Sequence, residues 1–198
     1  MNVFKKIYGE EIPLILAPMA GVSSLPFRVV TRAFGCRLAF VEMLCVRSLA
    51  SRNKKTLDII RTNPEDAPLG IQILASEEKY IAEGLDVIKG NEYEIIDFNA
   101  ACPTRKVVSN GKGAALLKDP AKMNRLLKAT VRAVKTPVTV KIRIGWDNTL
   151  DVKDIARYAE DAGVSAIFVH ERTRTQGYAG AVDYDAIRQV KEDRKSVV

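Results

Sequence analysis

The sequence predicts an α/β protein built as an incomplete TIM-type (β/α)8 barrel, with about six βα units present. Three observations lead there. Apolar runs of strand length recur along the 198 residues, amphipathic stretches with helical spacing lie between them, and a polar residue closes one run after another.

Each element follows from its own pattern. Leu14-Ile15-Leu16-Ala17 and Leu38-Ala39-Phe40-Val41 are continuous apolar runs, the signature of parallel strands covered on both faces. Leu69-Gly70-Ile71-Gln72-Ile73 is the third strand, and Glu77 to Lys89 after it has helical spacing and an acidic start. Ile95-Ile96-Asp97-Phe98 is the fourth strand, and the Pro120–Val134 helix leads to the fifth, Val138-Thr139-Val140-Lys141-Ile142. A helix over Val152–Ala162 precedes the sixth strand, Ala166-Ile167-Phe168-Val169, and a last helix falls around Tyr184–Lys191. Strands alternating with helices imply parallel pairing through right-handed crossovers.

A doubly wound sheet competes with the barrel, and the polar residues decide between them. Glu42, Gln72, Asn99, Lys141 with Arg143, and His170 sit at the C-terminal ends of successive runs. A doubly wound sheet gathers its chemistry at one switch point, whereas a barrel distributes it over every strand end. A complete barrel takes about 250 residues, so this chain is expected to hold the N-terminal part of one, residues 1–191. Residues 192–198 then form a polar tail at a truncation point, with too few apolar residues for another strand. No internal repeat or flexible linker divides the chain.

Composition narrows the function. With 47% hydrophobic and 28% charged residues, the chain is neither disordered nor fibrous. Its net charge of +7 suits a polyanionic partner. Three cysteines without a Cys-x-x-Cys pair exclude a disulfide scaffold and indicate a reducing compartment, the cytoplasm. Nothing resembles a membrane span or a signal peptide.

Alternation places Asp97 and Asn99 on one face, and Lys141 and Arg143 on one face. Lys141 at a barrel mouth suits an electron-rich ligand such as a reduced flavin; equally, it is an ordinary strand lysine reaching water or pairing with Asp97. Cys102, before Pro103 in the loop after the fourth strand, is a candidate general acid or nucleophile. Cys36 and Cys45 read as inert. His170, the only histidine, cannot build a multi-histidine metal site, so no metal is expected; it is either a ligand donor or a core histidine bonded to backbone. Arg172 and Arg174 suit phosphate or a solvated face, and Asn110-Gly111-Lys112-Gly113 is a glycine-bearing loop without P-loop spacing.

Four ordered segments together resemble the tRNA-dihydrouridine synthases: Leu16-Ala17-Pro18-Met19-Ala20-Gly21-Val22 with Leu25-Pro26-Phe27-Arg28, Asp97-Phe98-Asn99-Ala100-Ala101-Cys102-Pro103, Val140-Lys141-Ile142-Arg143-Ile144-Gly145 and Val169-His170-Glu171-Arg172-Thr173-Arg174. The resemblance runs from about Ile12 to Lys191. It implies an FMN-dependent barrel that reduces uridine in tRNA with NADPH, FMN lying against Pro18, Met19, Ala20, Gln72, Lys141 and His170. It further implies that Cys102 gives a proton to C5 of the uridine, that Asn99 holds the uracil, and that Arg143 and Arg172 face the substrate. Ala101, Glu171 and Ala75 stand where the family usually has glycine. Family members continue into two further strands and a helical tRNA-binding domain, so this chain alone is expected to hold FMN weakly. The competing readings are a barrel acting on a free small molecule, in the manner of dihydroorotate dehydrogenases or ene-reductases, and a non-catalytic RNA-binding fragment.

Overall fold

The computed structural model describes residues 14–147 and 151–193; the start of the resemblance at Ile12 and the tail beyond residue 193 lie outside them. Six parallel strands form one sheet in the order of the sequence: β1 (Leu14–Leu16), β2 (Cys36–Cys45), β3 (Leu69–Leu74), β4 (Ile95–Ala100), β5 (Val138–Arg143) and β6 (Ala166–His170). A doubly wound sheet reverses its strand order, and this one never does. All six expected strands are present, and the fold is part of an α/β barrel.

The helices are α1 (Leu25–Arg32), α2 (Val46–Ala50), α3 (Lys54–Ile59), α4 (Ile81–Asp86), α5 (Arg105–Val108), α6 (Pro120–Ala133), α7 (Val152–Glu160) and α8 (Tyr184–Asp193). In α6, Asp119 caps the Lys122 N–H at 2.9 Å, Pro120 opens the first turn, and Met123, Leu126, Leu127 and Thr130 bury one stripe. The expected helix over Glu77–Lys89 is shorter than its pattern. It opens as a 3-10 turn over Glu78–Tyr80 and ends with i→i−3 bonds from Ile88 and Lys89, leaving only Ile81–Asp86 as α-helix. Gly84 seats that helix on α2, because a Cβ there would lie 2.5 Å from the Val46 carbonyl oxygen.

Alternation along the strands makes two apolar layers. Val41, Ile71, Ile73, Ile96, Phe98, Val140 and Ile142 face the helices in the main core. Leu38, Phe40, Ile95 and Ala166, with Ile15 and Phe168, fill the concave side. Phe40 and Phe168 meet there edge to face, 6.2 Å between centroids. Gly70 makes room, since a Cβ on it would stand 2.4 Å from the Phe40 ring. Further along the same face the side chains change to Gln72, Asp97, Asn99, Thr139, Lys141, Arg143 and His170, so the interior is dry at one end and polar at the other.

Strand β2 is longer than the expected Leu38–Val41 because it carries a bulge. Val41 pairs with Ile71 and Leu44 with Ile73, three steps against two. The extra residue returns Leu44 to the helix side and leaves Glu42 and Met43 at the polar end. Glu42 uses this position to accept the Gly21 N–H at 2.6 Å, tying down the loop after β1.

The same loop is held from below by Arg28. Its guanidinium, 1% exposed, donates to Asp66 at 2.6–3.1 Å, to the Ser23 carbonyl at 2.8 Å and to the Arg61 carbonyl at 3.2 Å. Asp66 also accepts from the Thr62 hydroxyl. A buried pair with its other valences filled is costly to halve, about 3–5 kcal/mol, whereas an exposed pair such as Arg61–Asp58 is worth under about 1 kcal/mol. Urea unfolding of Asp66→Ala should therefore show a loss of about 3–5 kcal/mol, with Asp58→Ala close to the parent; equal, small effects would remove the Arg28 pair from its structural role.

Candidate active site

A cavity of about 350 Å³ opens at the C-terminal ends of the strands, within the range of small-ligand sites. One wall is Pro18, Met19 and Ala20 from the loop after β1, with Met43 from the β2 bulge. The floor is Gln72, Asn99 and Lys141, and the far side holds Cys102, Arg143 and His170. Of the ten candidate site residues, nine are thus brought together. Arg172 does not line the cavity.

The floor is a run of hydrogen bonds. Thr139 Oγ1 donates to Asp97 Oδ1 and Gln72 Nε2 to Asp97 Oδ2, both at 2.7 Å. Asn99 Nδ2 donates to Gln72 Oε1 at 2.7 Å. Asn99 Oδ1 accepts the Ala101 N–H at 3.0 Å and the Cys102 N–H at 2.8 Å. Asn99 therefore shapes the loop that carries Cys102. The Cys102 Sγ lies 3.3 Å from Thr104 Oγ1, either of which can donate. Beneath it, Gly113 at φ +57° fits where a Cβ would come within 2.7 Å of the Cys102 carbonyl oxygen, which itself accepts from the Ala114 N–H.

Burial pushes the Asp97 carboxyl up to about 6, against the opposing pull of the Gln72 and Thr139 hydrogen bonds and the Lys141 charge. Burial likewise pushes Lys141 down, opposed by Asp97 and Glu171 and assisted by Arg143. No carboxylate among the described residues lies within ion-pair distance of Lys141 Nζ, so the pairing with Asp97 weighed from sequence is not made as a salt bridge. The ammonium is left at the cavity. His170 Nδ1 accepts the Arg172 N–H at 3.1 Å, and burial with the Arg143 charge lowers its pKa, against Glu171. The neutral ring then carries its proton on Nε2.

The arginines do a different job from the one their residue type suggested. Arg143, 1% exposed, donates to the Ala101, Thr173 and Gly177 carbonyls at 2.8–3.0 Å and so joins the loops after β4 and β6. Arg172 donates to Glu171 and to the Gly180 carbonyl, and this is where Glu171 turns. Arg174 covers one indole contact of Trp146 at 4.4 Å, with Lys118 also over that ring at 4.0 Å. Ala101 is accommodated, its N–H and C=O both bonded.

Sequence reasoning missed Tyr178 and Met43, which also line the cavity. Tyr178 is 75% exposed, its ring 6.3 Å from that of His170 and 5.5 Å from the Arg143 guanidinium. An aromatic residue close to Gly177 and Gly180 after a strand end was its only signal. Nearby, Lys112 Nζ donates to Cys45 Sγ at 3.0 Å. Burial raises the Cys45 thiol, but Lys112 and the backbone N–H groups of Ser48 and Arg47 outweigh it and lower the pKa, so the cysteine expected to be inert stands beside a cation. Among the described residues no group of three or more His, Cys, Asp or Glu is placed to hold a metal, and no helix is long and apolar enough to cross a membrane.

Two measurements follow from these electrostatics. Between pH 4 and pH 6 the native Asp97 holds a proton that the unfolded chain, titrating near 3.8, has released. Stability therefore falls as pH rises through that window, by about 3 kcal/mol at most, and Asp97→Asn should remove this component; a parallel pH dependence in parent and variant would contradict it. Iodoacetamide should alkylate Cys45 with a pKa below that of a free thiol, and Lys112→Met should raise it; an unchanged profile would show that Lys112 does not tune the thiol.

Residues 15–198 match the family profile described as dihydrouridine synthase. A probable tRNA-dihydrouridine synthase of Rickettsia conorii is 42% identical over 184 residues, covering 92% of this chain and 56% of that protein. The tRNA-dihydrouridine synthase B of Xanthomonas campestris is 40% identical over 179 residues, covering 90% and 54%. The chain thus spans about half the length of these curated relatives. In solved structures the fold recurs in nitroalkane oxidase from Streptomyces ansochromogenes, with TM-score 0.51 at 16% identity over 98% of this chain and 59% of that one, and in a FabK M276A mutant from Thermotoga maritima, with TM-score 0.52 at 15% identity over 100% and 55%. The family profile spans every strand described above, from Ile15 onward, and the chain belongs to the dihydrouridine synthase family.

Proposed function

We propose that this chain forms part of an FMN- and NADPH-dependent enzyme that reduces the C5=C6 bond of a uridine in tRNA, with Cys102 giving the proton to C5. The observation that carries this is the convergence on one cavity of the Cys102 thiol, the Lys141 ammonium and the His170 ring.

The residues fit a flavin. Lys141 offers a half-buried cation without a carboxylate in contact, suited to the charge of a reduced pyrimidine ring, and His170 offers the Nε2 proton. Gln72 stands beside them, while Pro18, Met19, Ala20 and Met43 supply a surface for a planar ring. FMN, when bound and reduced by NADPH, would supply the hydride. The chain's own work is to hold the base and deliver the proton. Asn99 holds the Cys102 loop through two N–H bonds, and the Thr104 hydroxyl orients the thiol. Both Asn99 Oδ1 contacts are taken by backbone, so its hold on a uracil is limited to Nδ2, which meets only the Met43 sulfur at 3.9 Å besides Gln72.

A uridine must leave the RNA stack to reach this cavity. Tyr178 at the mouth offers a ring against which an extruded base can stack, and the charge of +7 favours an RNA backbone. Arg143, at the cavity, and Arg172, beside it, organise the loops around the substrate. A cytoplasmic location suits a tRNA substrate.

Supplying FMN, NADPH and an unmodified tRNA transcript to a protein in which this chain is continued to the length of its relatives tests the reading. Dihydrouridine should form, and Cys102→Ala should slow it by about 10²-fold or more. Flavin uptake without dihydrouridine, turnover on free uridine alone, or a Cys102→Ala variant as fast as the parent would each defeat it.

A further inference from the structure

We propose that Asp97 is a positioning residue for the Cys102 loop: its carboxylate fixes which way the Gln72 and Asn99 amides face, and thereby keeps Asn99 Oδ1 on the Ala101 and Cys102 N–H groups. The catalytic meaning of this rests on Cys102 being the proton donor; the structural claim does not.

Hydrogen-bond polarity is set from the loop inward. The Ala101 and Cys102 N–H groups can only donate, so Asn99 must present its oxygen to them. Its NH₂ then points at Gln72, which must answer with Oε1. That choice turns the Gln72 NH₂ toward position 97, where only an acceptor fits. Asp97 is that acceptor, and its second oxygen is engaged by the Thr139 hydroxyl. Every link is 2.7–3.0 Å long. Gln72, Asp97 and Asn99 are 1%, 2% and 5% exposed, so water cannot readily stand in for a missing partner. Reversing any amide would set donor against donor or acceptor against acceptor. Among the described residues the other charged group facing Asp97 is Lys141, which attracts it without a direct bond.

The polarity can be broken and then restored with two substitutions. Gln72→Glu sets two carboxyl groups 2.7 Å apart where the parent has a donor and an acceptor, and once the pH is high enough to remove the proton that such a pair shares, two acceptors face each other. Adding Asp97→Asn repairs this: the new amide donates to Glu at position 72 and accepts from Thr139, and Asn99 keeps its orientation. Asp97→Asn alone is mild, because its oxygen can still meet Gln72 while its NH₂ meets a reversed Thr139 hydroxyl.

Hydrogen exchange of the Ala101 and Cys102 amides at pH 8 provides the test, read without cofactor or RNA. Exchange should quicken about tenfold or more in Gln72→Glu and return to within about threefold of the parent in the double variant. The rate of Cys102 alkylation at pH 8 should rise in Gln72→Glu and return in the double variant, a rescue that two independent losses of stability would not produce. Unchanged exchange in Gln72→Glu, or a double variant as unprotected as the single, would overturn the proposal. If Gln72→Glu does not fold, recovery of folding in the double variant supports the proposal and continued failure overturns it. Since this readout involves no turnover, it can fail while dihydrouridine formation stands, and it can succeed if that reaction is never found.

Discussion

A carboxylate removed from water must be given donors, and Asp97 finds two of them on neighbouring strands. Gln72 comes from β3 and Thr139 from β5, so satisfying one buried charge draws three strands into register at their polar ends. From there the bonding leaves the sheet through Asn99 and enters the loop of Cys102. Arg143 takes up the next carbonyl of that loop and links it to the segment after β6. The cavity is thus shaped by strand chemistry that begins one turn of the pleat below it, and its loops inherit their positions.

Much of this was legible in the sequence, for identifiable reasons. Continuous apolar runs can only be strands covered on both faces, and all six were found with their order. Period-two alternation put Asp97 with Asn99 and Lys141 with Arg143, and both pairs do face the interior. What alternation could not give is the partner each side chain takes. Arg143 reads like an anion contact by residue type, and the structure adds that its Nη1 bonds backbone carbonyls some 30 residues further along the chain. Tyr178 and Met43 escaped because one lies in a loop without periodicity and the other is aimed by a bulge. The Cys45 thiol escaped because its tuning depends on Lys112, 67 residues away. Each of these needs a distance across the fold, and a single sequence carries none.

Two kinds of charge burial serve the same cavity from different depths. Arg28 and Asp66 are a matched pair, each filling the other's valences, and their role is to hold the loop of Met19 and Ala20 from behind. Lys141 has no carboxylate at contact distance, so its Nζ is left to a ligand even as burial pushes its pKa down. A matched pair gives rigidity; an unmatched cation gives affinity for whatever arrives with negative charge. The chain places the first outside the cavity and the second inside it.

The bulge in β2 bears on how this protein can change over evolutionary time. Because β2 spends three residues where β3 spends two, the positions of Glu42 and Met43 are set by counting along the chain as much as by side-chain type. Deleting either would swing Leu44 off the helix-facing core, while an insertion would do the same in the opposite sense. Length variation among descendants should therefore gather in the connections on the helical side, and the stretch from Val41 to Leu44 should drift by substitution alone.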